Sequence, residues 1–303
     1  MIQNILINQY NNPLEKELIN LFHCSGLPQH SNKTGNKEFT NYQRISLIVL
    51  FRRSKKALRD FVNELQESKW TSWLQLKRIP SKSSLQYWIK QFEMKTIRQL
   101  FNLLKPKKSK LTAIDGTGFD SFHRSRHYEK RVGFTKTPYS KVDLFVDVES
   151  KEIIDFSLVT KHQHDIIAAR QFIKRNNLKD VEVLCDGGYD CEDFHEQIFE
   201  KGGRLYAPVR KRNKRSLRKF PKGRFRKQCL KLPNFMGQRS IIECINAVLK
   251  RRFLNCLRSK KSFMKKREFG WCMIVYNLTR RLECSGFEKI KVDSFFIFIW
   301  FFY

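Results

Sequence analysis

The chain has 303 residues, 60 of them lysine or arginine against 29 aspartate or glutamate, for a formal net charge of +31. Its 41% hydrophobic and 13% aromatic content suffices for a packed core and excludes a disordered chain. The cation excess makes a polyanion the expected partner, nucleic acid ahead of a membrane surface, because the basic residues are scattered and not gathered on one amphipathic helix. Eight cysteines without a C-x-x-C pair give no structural-zinc spacing, and Met1–Leu21 has no signal-peptide core, so reduced thiols in the cytoplasm are expected.

Taken in order, Met1–Lys37 reads as a loose lead-in with a short helix near Leu14–Phe22. Tyr42–Leu65 carries apolar residues at helical spacing with a break near Ser54. Pro80-Ser81-Lys82-Ser83-Ser84 is a helix start, and Leu85, Trp88, Ile89 and Phe92 share one face behind it. Residues 1–105 therefore form an all-helical module, which reads equally as a helix-turn-helix reader of DNA or as a packing domain. A basic linker, Pro106–Lys110, leads into residues 106–285.

Leu111-Thr112-Ala113-Ile114-Asp115-Gly116-Thr117-Gly118 is an apolar strand that ends on a carboxylate, with Asp115 and Ala113 on one face and Ile114 and Thr112 on the other. Lys141–Val148 and Glu152–Thr160 predict a hairpin about Glu149-Ser150-Lys151, and a helix over His164–Ile173 follows. Val181–Tyr189 repeats the first design, a β run delivering Asp186 before two glycines. A helix over Cys191–Lys201 and a strand over Arg204–Arg210 come next. The order of elements predicts an α/β domain with a mixed sheet. An Asp at a strand exit is ordinarily a turn or cap residue. Two such strands side by side in a sheet would instead bring their carboxylates together at one edge.

From Arg210 to Lys227 basic residues are dense and acids absent, Lys211, Arg212, Lys214 and Arg215 among them. The position of this run beside the carboxylates favours a clamp on backbone phosphates over a solvated loop. Arg239–Phe253 then has helical periodicity, with Ile242, Ile245, Leu249, Phe253 and Cys256 as its apolar stripe and Arg239, Glu243, Asn246 and Lys250 as a polar one. By itself that polar stripe reads as a solvated ladder of charges. The chain ends in an apolar tail, residues 286–303. Its run Phe295–Tyr303 is too short to span a membrane, which takes about 20 helical residues, and reads as a docked strand or as a chain end altered by a shifted reading frame.

Together these residues resemble an insertion-sequence transposase of the DDE superfamily. The similarity covers most of the chain and rests on Ala113-Ile114-Asp115-Gly116-Thr117, on Cys185-Asp186-Gly187-Gly188-Tyr189-Asp190, and on a third motif, Tyr-x2-Arg-x3-Glu-x6-Lys. Arg239, Glu243 and Lys250 match that motif in identity and spacing, while Met236 stands at the Tyr position. His164-Asp165 also resembles a pair found after the third strand in such proteins, though a helix cap accounts for it more simply. The resemblance implies a ribonuclease-H-like sheet flanked by helices, with Asp115, Asp186 and Glu243 holding two Mg²⁺ ions, for which Mn²⁺ can substitute. Arg239 and Lys250 would contact DNA. It further implies cleavage at transposon ends and strand transfer into target DNA, by a homo-oligomer on double-stranded DNA at a prokaryotic nucleoid. A nuclease without strand transfer and an inactive or domesticated DNA-binding protein are the alternatives.

Overall fold

The structure is a computed structural model that describes residues 12–31, 37–120, 127, 131, 140–161, 163–210 and 221–293, the last nine of these by backbone alone. Six helices come first: α1 (Pro13–Ser25), α2 (Asn41–Ser54), α3 (Leu58–Glu67), α4 (Trp70–Trp73), α5 (Lys82–Gln91) and α6 (Met94–Asn102). Local chemistry sets their ends. Thr40 and Gln43 form a capping box at the start of α2, and Lys55, at φ 59°, stops it just after Ser54. Ser81 caps α5 by accepting from the Ser84 N–H, as its sequence signal predicts.

The sheet contains β1 (Leu111–Phe119), β2 (Ser140–Asp147), β3 (Ile153–Val159), β4 (Glu182–Leu184) and β5 (Arg204–Tyr206), in the spatial order β3-β2-β1-β4-β5. The first three form an antiparallel meander, while β4 and β5 run parallel to β1. Helices α7 (Asp165–Arg175) and α8 (Glu192–Glu200) supply the crossovers. A short helix α9 (Arg224–Gln228), a 3₁₀ stretch (Asn234–Ser240), α10 (Ile241–Val248) and the long α11 (Ser262–Asp293) complete the described chain. This is the expected mixed sheet flanked by helices, with a helical region ahead of it.

Alternation along the strands divides the core in two. Ala113, Val142, Leu144 and Val146 face a large cluster that also takes in α1, α2, α5, α6, α10 and α11. Ile114, Phe145, Val183 and Leu205 face a smaller one under α7 and α8. The large cluster runs without interruption from Leu14 to Leu278, so the helical region and the sheet share one core.

Three elements depart from the sequence expectation. The helix expected over Arg239–Phe253 is a 3₁₀ entry, the regular α10 and a wider π turn over Leu249–Phe253, closed by the Leu254 N–H donating to the Leu249 carbonyl at 2.8 Å. Cys256 therefore lies beyond the helix, off its apolar stripe. The β5 ladder pairs only Arg204–Tyr206, since β4 beside it is equally short. Finally, α11 is an element that the periodicity does not reveal. Residues 286–293 of the tail continue it, and 294–303 lie outside the described residues.

Candidate active site

The parallel ladder decides where the first two acids stand. It pairs Leu111 with Glu182 and Ala113 with Leu184, so the two strands run to the same edge, where Asp115 follows the last β1 pair by two residues and Asp186 follows the end of β4 by two. Both are half-buried at the same edge of the sheet. The Asp115 Oδ1 accepts from the Gly116 N–H at 2.8 Å, and the Asp186 Oδ1 accepts from the Gly188 N–H at 2.8 Å, opening a 3₁₀ turn over Gly187–Tyr189.

The third acid arrives on α10, which packs against β1 through Ile242, Ile245 and Leu249. Its neighbours lie along one face of that strand, where Asp115, Thr117 and Phe119 alternate. Arg239 spans two of the acids: its Nη2 donates to Glu243 Oε1 at 2.8 Å, and its Nη1 lies 4.0 Å from Asp115 Oδ2. Further along, the Lys250 Nζ donates to Thr117 Oγ1 at 2.6 Å and sits 5.4 Å from the Phe119 ring centroid, a cation on an aromatic face. The π turn that begins at Leu249 carries Lys250 to that place.

The electrostatics record how near the acids are. Burial pushes the Asp115 carboxyl up; the Gly116 N–H opposes this, the Asp186 charge adds to it, Arg239 opposes it and Glu243 adds to it. A carboxylate crowded by two others is a site that a cation relieves, and all the donors are hard oxygens of the kind divalent Mg²⁺ or Mn²⁺ takes. As the side chains stand, no three acids, histidines or cysteines among the described residues are gathered closely enough to hold one ion, and Arg239 bridges two of the acids. Behind the acids, the buried Cys185 thiol is pushed well up, first by burial and then by Asp186 and Asp115, which leaves it an inert packing group.

Met236 packs against the large core cluster and brings no hydroxyl to the site. Lys211, Arg212, Lys214 and Arg215 lie outside the described residues, but the flanks of their segment do not. The Arg210 N–H donates to Asp190 Oδ2 at 2.8 Å, and Arg226 donates to both oxygens of the same carboxylate. Thus Asp190, four residues after Asp186, anchors both sides of the basic run. Sequence reasoning quotes Asp190 within the second motif without a role; the pairing of one buried acid with a cation-rich run was the available signal. His164 and Asp165 part company. The His164 Nδ1 caps α7 by accepting from the Ile166 N–H at 3.4 Å, whereas Asp165 pairs with Lys141 on β2. Among the described residues no helix is long and apolar enough to cross a membrane, and all eight cysteines are unpaired.

Residues 106–278 match the transposase DDE domain family. No curated protein is significantly similar to the chain in sequence. Among solved structures, the chain is similar to one in the cryo-EM structure of a piggyBac transposase synaptic complex with hairpin DNA, at 10% identity and a TM-score of 0.42, over 94% of this chain and 80% of that one.

Proposed function

The chain belongs to the transposase DDE domain family and is a DNA transposase, and from that premise we propose that Asp115, Asp186 and Glu243 are its catalytic acids. The observation that supports this reading is the parallel pairing of β1 and β4, after which Asp115 and Asp186 each stand two residues beyond the last pair, together with the Arg239 bridge from Asp115 to Glu243. DDE domains use divalent metal ions. Here the three carboxylates would hold two Mg²⁺, or Mn²⁺ in its place, and bound ions supply activation of the attacking hydroxyl and neutralisation of the leaving oxygen.

The chain's own residues do the rest. Burial and mutual repulsion prime Asp115 to accept a cation. Arg239 is a planar fork suited to a scissile-strand phosphate once it leaves the acids, and Lys250, held by Thr117 and Phe119, offers a point charge one strand register further on. Lys211, Arg212, Lys214 and Arg215 add phosphate contacts on the duplex flanking the cut. The protein binds DNA. Cleaving two element ends and joining them to a target calls for a homo-oligomer that holds both, acting in a reducing cytoplasm at the nucleoid.

The test is metal-dependent nicking of a duplex carrying the element's own ends. Asp115→Asn, Asp186→Asn and Glu243→Gln are each expected to abolish nicking and strand transfer while duplex binding persists. Wild-type cleavage by any purified variant overturns the role of that residue.

A further inference from the structure

Behind the candidate site, on the sheet face opposite Asp115, lies a buried ionic group that the reading above does not use. Asp143 pairs across the ladder with Gly116 and is 1% exposed. Its Oδ1 lies 3.3 Å from the Nζ of Lys141, two residues back on the same face of β2. That Nζ also pairs with Asp165, the first residue of α7, and donates to the Gln163 carbonyl at 2.8 Å. One ammonium thus draws together β2, the lead into α7 and, through Asp143, the exit of β1.

The β1 exit rests on this group, and α7, which begins at Asp165, packs against the turn that follows β4. At Gly116, directly after Asp115, a Cβ would stand 2.9 Å from Asp143 Oδ1, 3.4 Å from Lys141 Cε and 3.7 Å from Asp165 Oδ1, so the backbone rests on the cluster and a larger residue there would have to displace the Asp143 carboxylate. Tyr189 closes the 3₁₀ turn that Asp186 opens. It is fully buried, and its hydroxyl has no hydrogen-bond partner among the described residues. Burial pushes that hydroxyl far up, and the charges of Cys185, Asp143, Asp165 and Asp115 push it further.

We propose that Lys141 is a positioning residue for the metal-holding acids: by drawing Asp143 and Asp165 together behind Gly116 and beside Tyr189, it sets how far apart the Asp115 and Asp186 carboxylates stand. The proposal rests on the assignment of those two acids as metal ligands. Groups that orient ligands from behind typically change metal affinity by about 10–100-fold when they are removed.

The experiment measures Mn²⁺ binding by the full-length protein without DNA, duplex binding in EDTA, and thermal unfolding. Lys141→Met is expected to weaken Mn²⁺ binding at least about 10-fold, with duplex affinity in EDTA and a cooperative unfolding transition retained. Lys141→Arg, which keeps the cation between its two carboxylates, is expected to restore Mn²⁺ affinity to within a few-fold of wild type. Should Lys141→Met fail to fold, Asp165→Asn takes its place, because that side chain is 42% exposed and its loss removes only one arm of the cluster; a several-fold loss of Mn²⁺ affinity is expected. Wild-type Mn²⁺ affinity in folded Lys141→Met or Asp165→Asn, with Asp115→Asn and Asp186→Asn having lost it, overturns the proposal alone. Mn²⁺ binding that survives in Asp115→Asn and Asp186→Asn overturns the ligand assignment and this proposal with it.

Discussion

Asp190 grips Arg226 at two points, Oδ1 accepting from Nε at 2.7 Å and Oδ2 from Nη2 at 2.6 Å, with the carboxylate fully buried and the guanidinium largely so. Asp190 also receives the Arg210 N–H, and buried His195 stands 3.9 Å away, its ring pushed toward neutrality by burial against the pull of Asp190. Beside it Glu192 accepts the Phe225 and Arg226 N–H groups at 2.9 and 3.0 Å. Removing one member of such a pair strands the other in a low-dielectric place, at a cost of about 3–5 kcal/mol. Asp190→Asn is therefore expected to lower stability by roughly that amount in urea denaturation. Arg226→Gln should cost at least as much, because it strands the fully buried Asp190 carboxylate, whereas the guanidinium left by Asp190→Asn can turn to solvent. The double variant is expected to be more stable than the sum of the two losses predicts. Additive losses would mean that the two residues act independently.

Lys250 is held by Thr117 and Phe119 at the face that also carries Asp115, which makes its charge available to a phosphate without a search through rotamers. Lys250→Ala is expected to weaken duplex binding to a similar degree across sequences and to reduce the log–log salt slope by about one. Thr117→Val keeps the shape and removes the acceptor. With its anchor gone Lys250 keeps its charge but not its place, so duplex binding and cleavage are both expected to weaken, binding by less than in Lys250→Ala. An unchanged salt slope in Lys250→Ala would place that ammonium off the DNA.

Much of this architecture is legible in the sequence, and the reasons for the rest are physical. Strands β1 and β4 announce themselves by an apolar run ending in Asp-Gly, and Ile114 and Ala113 do face opposite clusters as their alternation requires. The α11 segment is silent by contrast. Phe269, Trp271–Val275, Tyr276, Asn277 and Leu278 are buried together, so the segment has no polar face in this part and no helical period to detect. The placement of Arg239 and Glu243 on one polar stripe was readable, and their ion pair follows from i,i+4 spacing. That Lys250 would turn to Thr117 was not, since it depends on a π turn and on a strand residue 133 positions away. The Lys141, Asp143 and Asp165 cluster was equally hidden, because no local pattern pairs a strand lysine with the first residue of a helix beyond the next strand.

Asp143 also predicts a pH dependence. Burial pushes its carboxyl up from the ordinary 3.8 to about 6, with Lys141 opposing and the Asp165 and Asp115 charges adding to the rise. An acid whose folded pKa lies above its unfolded one holds its proton more tightly in the folded chain. Its contribution to stability is therefore largest below about pH 4, is lost as pH climbs to about 6, and stays constant above that. A shift of this size corresponds to roughly 2–3 kcal/mol. The difference in urea-unfolding free energy between wild type and Asp143→Asn is expected to change by about that much between pH 4 and pH 7, wild type losing ground as pH rises. A difference that is flat across this range would assign Asp143 an ordinary carboxylate pKa.

The last expectation concerns how the helical region is joined to the sheet. Glu268 on α11 is 1% exposed and accepts from Arg52 Nη1 on α2 at 3.2 Å and from the Arg258 and Ser259 N–H groups at 3.2 and 2.9 Å. Nine residues on, the buried Asn277 side chain accepts the Ile153 N–H at 2.9 Å and donates to the carbonyls of Leu104 and Ile153 at 3.0 and 2.8 Å. One helix thus carries two polar anchors, the first to α2 and to the segment after the π turn, the second to β3 and to the end of the helical region. Between them lie the apolar residues of the shared core. Because the large cluster takes in both, the helical region and the sheet are expected to unfold in one cooperative transition, and Glu268→Ala or Asn277→Leu to shift that whole transition downward, each by about 2–5 kcal/mol. Calorimetry that resolved two transitions, with only the first moved by Glu268→Ala, would mean that α11 serves the helices alone and that the sheet carrying Asp115 folds without them.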